Sequence, residues 1–352
     1  MSKVKVGLLV SLRGPTGVWA PSCIQSAILG AAEINAAGGI GGKELDLVVK
    51  DADWEPERTA AAATQLVEDD AVSAIVAMVG SNSRRLVSSR IAARCPFIYT
   101  PNFEPGAPEP NTINISSTDE EMIPPVLDWV FEKLGARRFV LIGCDYRWPL
   151  RSMPMAGAMI RARGGSVEGI LVRPIDAEDE WDVEALEKIR DAKPDLLLVF
   201  MVGDQAISFH RNFHASGLGA KIQRCAIATD ETVLTNLDPD STEGLYAGAY
   251  YFAGARTHAN VGFMERYWTA FGGLAPVPGF YGQSCYEGVQ YAAGLIKAEK
   301  TANPLALVHA PHRRIAFNSA RFDTPTADLT TRLPVYVAKA NGNIFDVVAR
   351  LR

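Results

Sequence analysis

His210 and His214 in the stretch HRNFH stand four residues apart, so on a helix both imidazoles share one face, as in zinc enzymes. Arg211 occupies the place of the glutamate that serves as base in H-E-x-x-H, and no third ligand is signalled nearby. The pair therefore reads as a helix face, and no metal is expected. GGIGGK, residues 38–43, has the glycines of a phosphate loop, but it follows a helical stretch and precedes an extended one, with Glu44 where a metal-binding hydroxyl belongs. It reads as a turn, and no cofactor is expected. Nucleophile elbows of the form G-x-S-x-G are missing. VGSNS, residues 79–83, lacks the last glycine yet lies between a strand and a helix, where the hydroxyls of Ser81 and Ser83, with Asn82 between them, join backbone N–H groups able to hold a carbonyl or carboxylate oxygen.

Chemistry-bearing residues recur where apolar runs stop. Tyr99, Thr100, Pro101 and Asn102 follow FI, Asp145 to Trp148 follow FVLIGC, Gly203 and Asp204 follow LLLVFMV, and Thr229, Asp230 and Glu231 follow CAIA. Hydroxyls, rings and acids at strand ends suit a pocket for a polar organic molecule, walled by aromatic rings and oriented by a few hydrogen-bonding groups. A nucleophile, base and orienting group cannot be assembled from them, so a non-enzymatic role is expected.

The elements that position these residues alternate between short apolar runs and helical stretches, the pattern of parallel sheets covered by helices. The rhythm runs from KVKVGLLVS to CPFIYTP, pauses in the loop NFEPGAPEPNT, and restarts at about residue 119 with DEEMIPPVLDWVFEKLG. An α/β fold of two Rossmann-like lobes is expected, with one lobe at 1–118 plus 250–325 and the other at 119–249 plus 326–352. A three-segment hinge falls near 117–121, 247–252 and 324–330, where short polar or glycine-containing segments join the lobes. In such folds ligands lie beyond the carboxyl ends of the strands, which places the expected site in an interlobe cleft. PVYVAKANGNIFDVVARL closes the chain as a hairpin around Asn341-Gly342.

The 352 residues carry a formal charge of −5 without a basic stripe, so nucleic acid is not an expected partner. No apolar stretch reaches the ~18–20 residues of a membrane helix. The five cysteines are scattered and lack C-x-x-C spacing, which suggests neither a disulfide framework nor a zinc site. MSKVKVGLLVSLRG reads as a first strand, which implies a cytoplasmic chain if Met1 is the native start and a periplasmic one if a leader was removed.

GLLVSLRGPTGVWA, AAEINAAGGIGGKELDLVVKD, MVGSNSRRLV, FVLIGCDYRWPLRS, IRDAKPDLLLVFMVGD and ATDE together resemble the type I periplasmic-binding-protein family over nearly the whole chain. Within the Leu/Ile/Val-binding-like members, GCDYRWPLRS is most similar to the amide receptor of amidase operons and to urea-binding transporter components. The resemblance implies that Ser81, beside Asn82, and the loop Tyr99–Asn102 hold a ligand from the first lobe. Tyr146 and Trp148 would close over it from the second, with Gly203, Asp204, Asp230 and Glu231 along the far side. Phe103 and Pro105 depart from the Tyr-Glu-Gly segment usual in the amide and urea binders. The implied ligand is a short-chain amide, a urea-like compound or a branched-chain-type amino acid, bound with lobe closure. The implied partner is an ABC-transporter permease or, if the protein is a cytoplasmic sensor, a regulatory protein that it restrains. Homo-oligomer formation is left open.

Overall fold

The computed structural model describes residues 3–352. In chain order its first elements are β1 (Val4–Val10), α1 (Ala20–Ala36), β2 (Leu45–Asp51), α2 (Pro56–Glu68), β3 (Ala74–Met78), α3 (Ser81–Ile91), β4 (Phe97–Tyr99) and β5 (Thr112–Asn114). They are followed by α4 (Asp119–Trp129), β6 (Arg138–Cys144), α5 (Arg147–Ala162), β7 (Ser166–Arg173), α6 (Asp179–Ala192), β8 (Leu196–Phe200), α7 (Gly203–Ala215), β9 (Gln223–Ala226), α8 (Glu231–Leu234) and β10 (Leu245–Ala249). The chain ends with α9 (His258–Phe271), α10 (Phe280–Glu299), α11 (Pro304–Val308), β11 (Phe317–Asn318), β12 (Thr326–Ala327), β13 (Tyr336–Asn341) and β14 (Ile344–Arg350).

Two compact units result. The first holds the residues up to Asn102, Gly106–Ser117 and Arg256–Leu333, and the second holds Phe103–Pro105, Thr118–Ala255 and Pro334–Arg352. Residues 250–255 stay with the second unit because Phe252 packs on Phe345 at 5.1 Å and the Ala253 N–H is bonded to Glu231. Residues 326 and 327 stay with the first because β12 pairs with β11.

The first unit is built on a five-stranded parallel sheet in the order β2-β1-β3-β4-β5. Its inner strands β3 and β4 are continuous buried apolar runs and β1 is nearly so, as strands covered on both faces must be, whereas the edge strands β2 and β5 mix polar residues in. Gly288 of α10 permits close packing on the sheet, since a Cβ there would lie 2.5 Å from Val76 Cγ1. At the centre of this unit Arg321 and Glu287 form a fully buried ion pair at 2.6 Å.

The second unit has seven strands in the order β14-β13-β10-β9-β8-β6-β7. β7 to β10 and β6 run parallel, while β13 is antiparallel to both β10 and β14. The β13–β14 turn has Gly342 at φ 59°, a left-handed position that favours glycine. The helix expected over 119–135 is α-helical only to Trp129 and finishes in a wider π turn, Val130–Leu134, closed by Gly135. Pro124 and Pro125 withhold N–H groups from this helix, which loosens its hydrogen-bond ladder.

His210 is buried in α7, and its Nδ1 lies 3.1 Å from Arg224 Nη1. Because guanidinium only donates, that nitrogen must be the acceptor of a neutral ring. Arg224 also donates to the Ser241 and Glu243 carbonyls and lies over the Phe213 ring. His210 Nδ1 thus takes its partner from β9, while its Nε2 is buried without a described partner. Burial and the adjacent Arg224 charge hold the His210 ring well below its ordinary 6.5. The unfolded chain therefore binds the proton first as pH falls, and stability present above about pH 6.5 is lost below it. We expect His210→Gln to flatten this acid slope by up to about 1.4 kcal/mol per pH unit between pH 6.5 and 5, read by urea unfolding. Parallel slopes for the two proteins would contradict it.

Candidate functional site

In the first unit β3 delivers the chain to Gly80, the N-cap of α3. A Cβ on Gly80 would lie 2.3 Å from Asn82 Oδ1 and 2.9 Å from the Trp54 ring, so glycine lets the helix start against both. Ser81 is buried, and its Oγ has no hydrogen-bond partner among the described residues. The first turn of α3 also has N–H groups beyond the reach of the helix's own carbonyls. Asn82 donates Nδ2 to the Trp54 carbonyl at 3.2 Å, while its Oδ1 has no described partner.

The residues after β4 divide between packing and display. Tyr99 is core, with the Arg84 guanidinium 4.8 Å from its ring centre and Arg84 itself bonded to Glu109 at 2.7 Å. Thr100 is buried with its hydroxyl on the Ala77 carbonyl, and its own carbonyl accepts from Ser116 Oγ. Pro101 is buried beside it. Asn102 accepts from the Tyr281 hydroxyl at 3.2 Å, and Tyr281 meets Trp19 edge-on at 4.6 Å. Trp19 and Tyr281 are buried as Tyr99 is, packed at the entries to α1 and α10, positions that strand ends do not signal.

In the second unit the helix after β6 begins at Arg147, so DYRW is a helix entry instead of a free turn. Tyr146, at the N-cap, is half-buried. Trp148 is not a free wall. Its Nε1 donates to Asp119 Oδ2 at 2.6 Å, its ring lies 5.6 Å from Phe200, and Ser152 Oγ donates to the same carboxylate oxygen at 2.5 Å. Beside it Arg147 Nε donates to the buried Glu104 at 2.5 Å. Gly203 opens α7 with φ 46°, and Asp204 is exposed in its first turn.

The most concentrated feature follows β9. Asp230 caps α8, its Oδ1 accepting from the Thr232 and Val233 N–H groups. Glu231 Oε1 accepts from the Ala253 N–H at 2.6 Å. Its Oε2 and the hydroxyls of Thr229 and Thr232 are buried without a described partner. Burial, helped by the neighbouring Asp230 charge, pushes the Glu231 carboxyl up to about 8. Three orphaned polar groups in the four-residue stretch 229–232, just past a strand's carboxyl end, are uncommon in a finished core, where buried polar atoms are almost always paired. An incoming hydrogen-bonding molecule would satisfy them.

Comparison with known proteins follows the same lines. A solute-binding protein of an ABC transporter from Rhodopseudomonas palustris BisB5, solved with 3,4-dihydroxybenzoic acid, superposes with TM-score 0.84 at 22% identity over 99% of this chain and 97% of that one. The branched-chain amino acid substrate-binding protein LivJ of Streptococcus pneumoniae, solved with isoleucine, superposes with TM-score 0.81 at 20% identity over 99% of each chain. A second R. palustris solute-binding protein, solved with 4-hydroxybenzoate, gives TM-score 0.84 at 19% identity over 99% of this chain and 97% of that one. At these identities the likeness is one of fold. The sequence profile of the periplasmic binding proteins matches residues 3–344, and the chain belongs to that family.

Proposed function

We propose that the protein is a non-enzymatic solute-binding protein for a small organic molecule that carries a donor nitrogen and an acceptor oxygen. The observation that carries this reading is the unsatisfied Glu231 Oε2 in the same short stretch as the equally unsatisfied Thr229 and Thr232 hydroxyls. A carboxyl group in that position accepts from an ammonium, an amide or a urea nitrogen. Ser81 Oγ and the amino end of α3 supply donors for the ligand's carbonyl or carboxylate. One ligand engages both half-sites, and its binding favours the closed arrangement of the two lobes. A branched-chain-type amino acid, a short-chain amide and urea all meet this description. The related folds solved with isoleucine and with aromatic acids support a small solute, and those described as ABC-transporter components support delivery to a permease.

A thermal-shift panel of isoleucine, leucine, acetamide, urea and 4-hydroxybenzoate tests the proposal. A true ligand at 100 times its dissociation constant adds about 2.7 kcal/mol of stability. Ser81→Ala should weaken that ligand about tenfold, the effect of one net hydrogen bond, while leaving the unliganded midpoint in place. A panel without any shift contradicts the reading, and so does a shift insensitive to Ser81→Ala for the half-site assigned to α3.

A further inference from the structure

The first unit has a cavity at the end of its sheet away from the Ser81 turn. It has a volume of about 410 Å³ and is lined by Val4, Ile40 and Ile296 together with Lys43, Lys297 and Lys300, with Gly41 and Thr301 at its edge. Val4 opens β1, whose other end, Val10, pairs with Met78 just before the Ser81 turn. Six strand steps of ~3.3 Å put the two ends roughly 20 Å apart. The cavity is therefore separate from the solute half-site.

Its chemistry is cationic over an apolar floor. Val4, Ile40 and Ile296 are buried, whereas the three lysines are exposed. None of the three forms an ion pair with a described residue. Glu44, next to Lys43, is bonded to Lys3 at 3.5 Å, and Glu299, next to Lys300, acts on His312. Lysines at the end of α10 are favoured by its carbonyl dipoles, which accounts for Lys297 and Lys300. It does not account for Lys43, which sits on a separate turn made by Gly41 and Gly42 at φ 58° and 77°. That turn is closed by the bonds between Ile40 and Lys43, and the Gly41 N–H donates to no described residue. Three lysines without an ion-pair partner thus gather at one apolar hollow in a chain whose net charge is −5, and their ammonium groups can donate to an anion seated there.

We propose that this cavity binds a small organic anion, an apolar body ending in a carboxylate or phosphate, independently of the solute site. Its volume lies in the range of about 300–1,000 Å³ common for ligand clefts. The test is calorimetric titration of the full chain with octanoate, beside octanol and inorganic phosphate as probes of the apolar and the anionic part alone. Saturable octanoate binding with a dissociation constant of about 1 mM or tighter is expected. The double variant Lys43→Glu/Lys300→Glu should weaken it at least tenfold, with Lys297→Glu as an independent variant, while Ser81→Ala leaves it unchanged. Absence of saturable octanoate binding overturns the proposal. So does octanol or inorganic phosphate binding as tightly, or octanoate binding that ignores the lysine variants.

Discussion

Replacing Arg321 by methionine should cost the protein about 3–5 kcal/mol, the usual penalty for leaving one partner of a buried ion pair alone. Arg321 and Glu287 are both fully buried, 2.6 Å apart. Arg321 also donates to Gln283 Oε1 at 2.7 Å, to the Ile115 carbonyl at 3.0 Å and to Ser284 Oγ at 3.0 Å. Glu287 accepts in turn from Gln283 and Ser319. Ser284 is 3.3 Å from Ser116, whose hydroxyl reaches the Thr100 carbonyl, so the network fixes the chain leaving β4. The double variant Arg321→Met/Glu287→Leu should recover part of the loss, because replacing both charges with apolar groups removes the unpaired carboxyl. Urea unfolding reads both effects. A loss below about 1 kcal/mol for the single variant would mean that the pair adds little beyond packing.

Glu231→Gln is expected to have two large effects of opposite sense. A carboxyl held up to about 8 when folded, against 4.5 when unfolded, keeps its proton in the native state after the unfolded chain has released it. Native stability contributed at low pH is therefore lost as pH rises from about 4.5 to 8, by an amount on the order of 4–5 kcal/mol. Glutamine carries no such proton, so the variant should equal the parent near pH 4.5 and exceed it near pH 8. Ligand binding moves the other way. Losing a buried carboxylate beneath an ammonium costs about 2–5 kcal/mol, whereas losing an acceptor for a neutral amide costs about 0.5–1.5 kcal/mol. The size of the affinity loss thus separates amino acids from amides and urea. An ammonium ligand should also expel the Glu231 proton, so its affinity rises with pH up to about 8 and titration releases protons. Equal pH profiles for parent and variant, in stability and in binding, would contradict the role given to this side chain.

The alternation of apolar runs and helices made both α/β units legible, because strands covered on two faces must be short and apolar wherever they occur. The strand-end rule picked out Ser81, Asn102 and Glu231, and the structure has all three buried past the ends of β3, β4 and β9, with Ser81 Oγ and Glu231 Oε2 lacking a described partner and Asn102 accepting from Tyr281. It was less informative for Tyr99, Thr100 and Trp148. A ring or hydroxyl at a strand end looks the same in sequence whether it is displayed or turned into the core, and the partners that decide, Arg84, Ala77 and Asp119, lie far away along the chain. Trp19, Tyr281 and Arg321 were invisible to the rule for a related reason. They enter through a loop turn, a helix start and an irregular segment whose three-dimensional neighbours are set by tertiary packing. His210 was read only as part of a helix face, because its partner Arg224 comes from a different element that the spacing does not signal.

The most direct test of the solute-binding reading is a crystal structure with whichever compound gives the largest thermal shift. A ligand nitrogen should lie about 2.7–3.2 Å from Glu231 Oε2, and a ligand oxygen within the same distance of Ser81 Oγ. A bound compound that touches neither Glu231 nor Ser81 would contradict it.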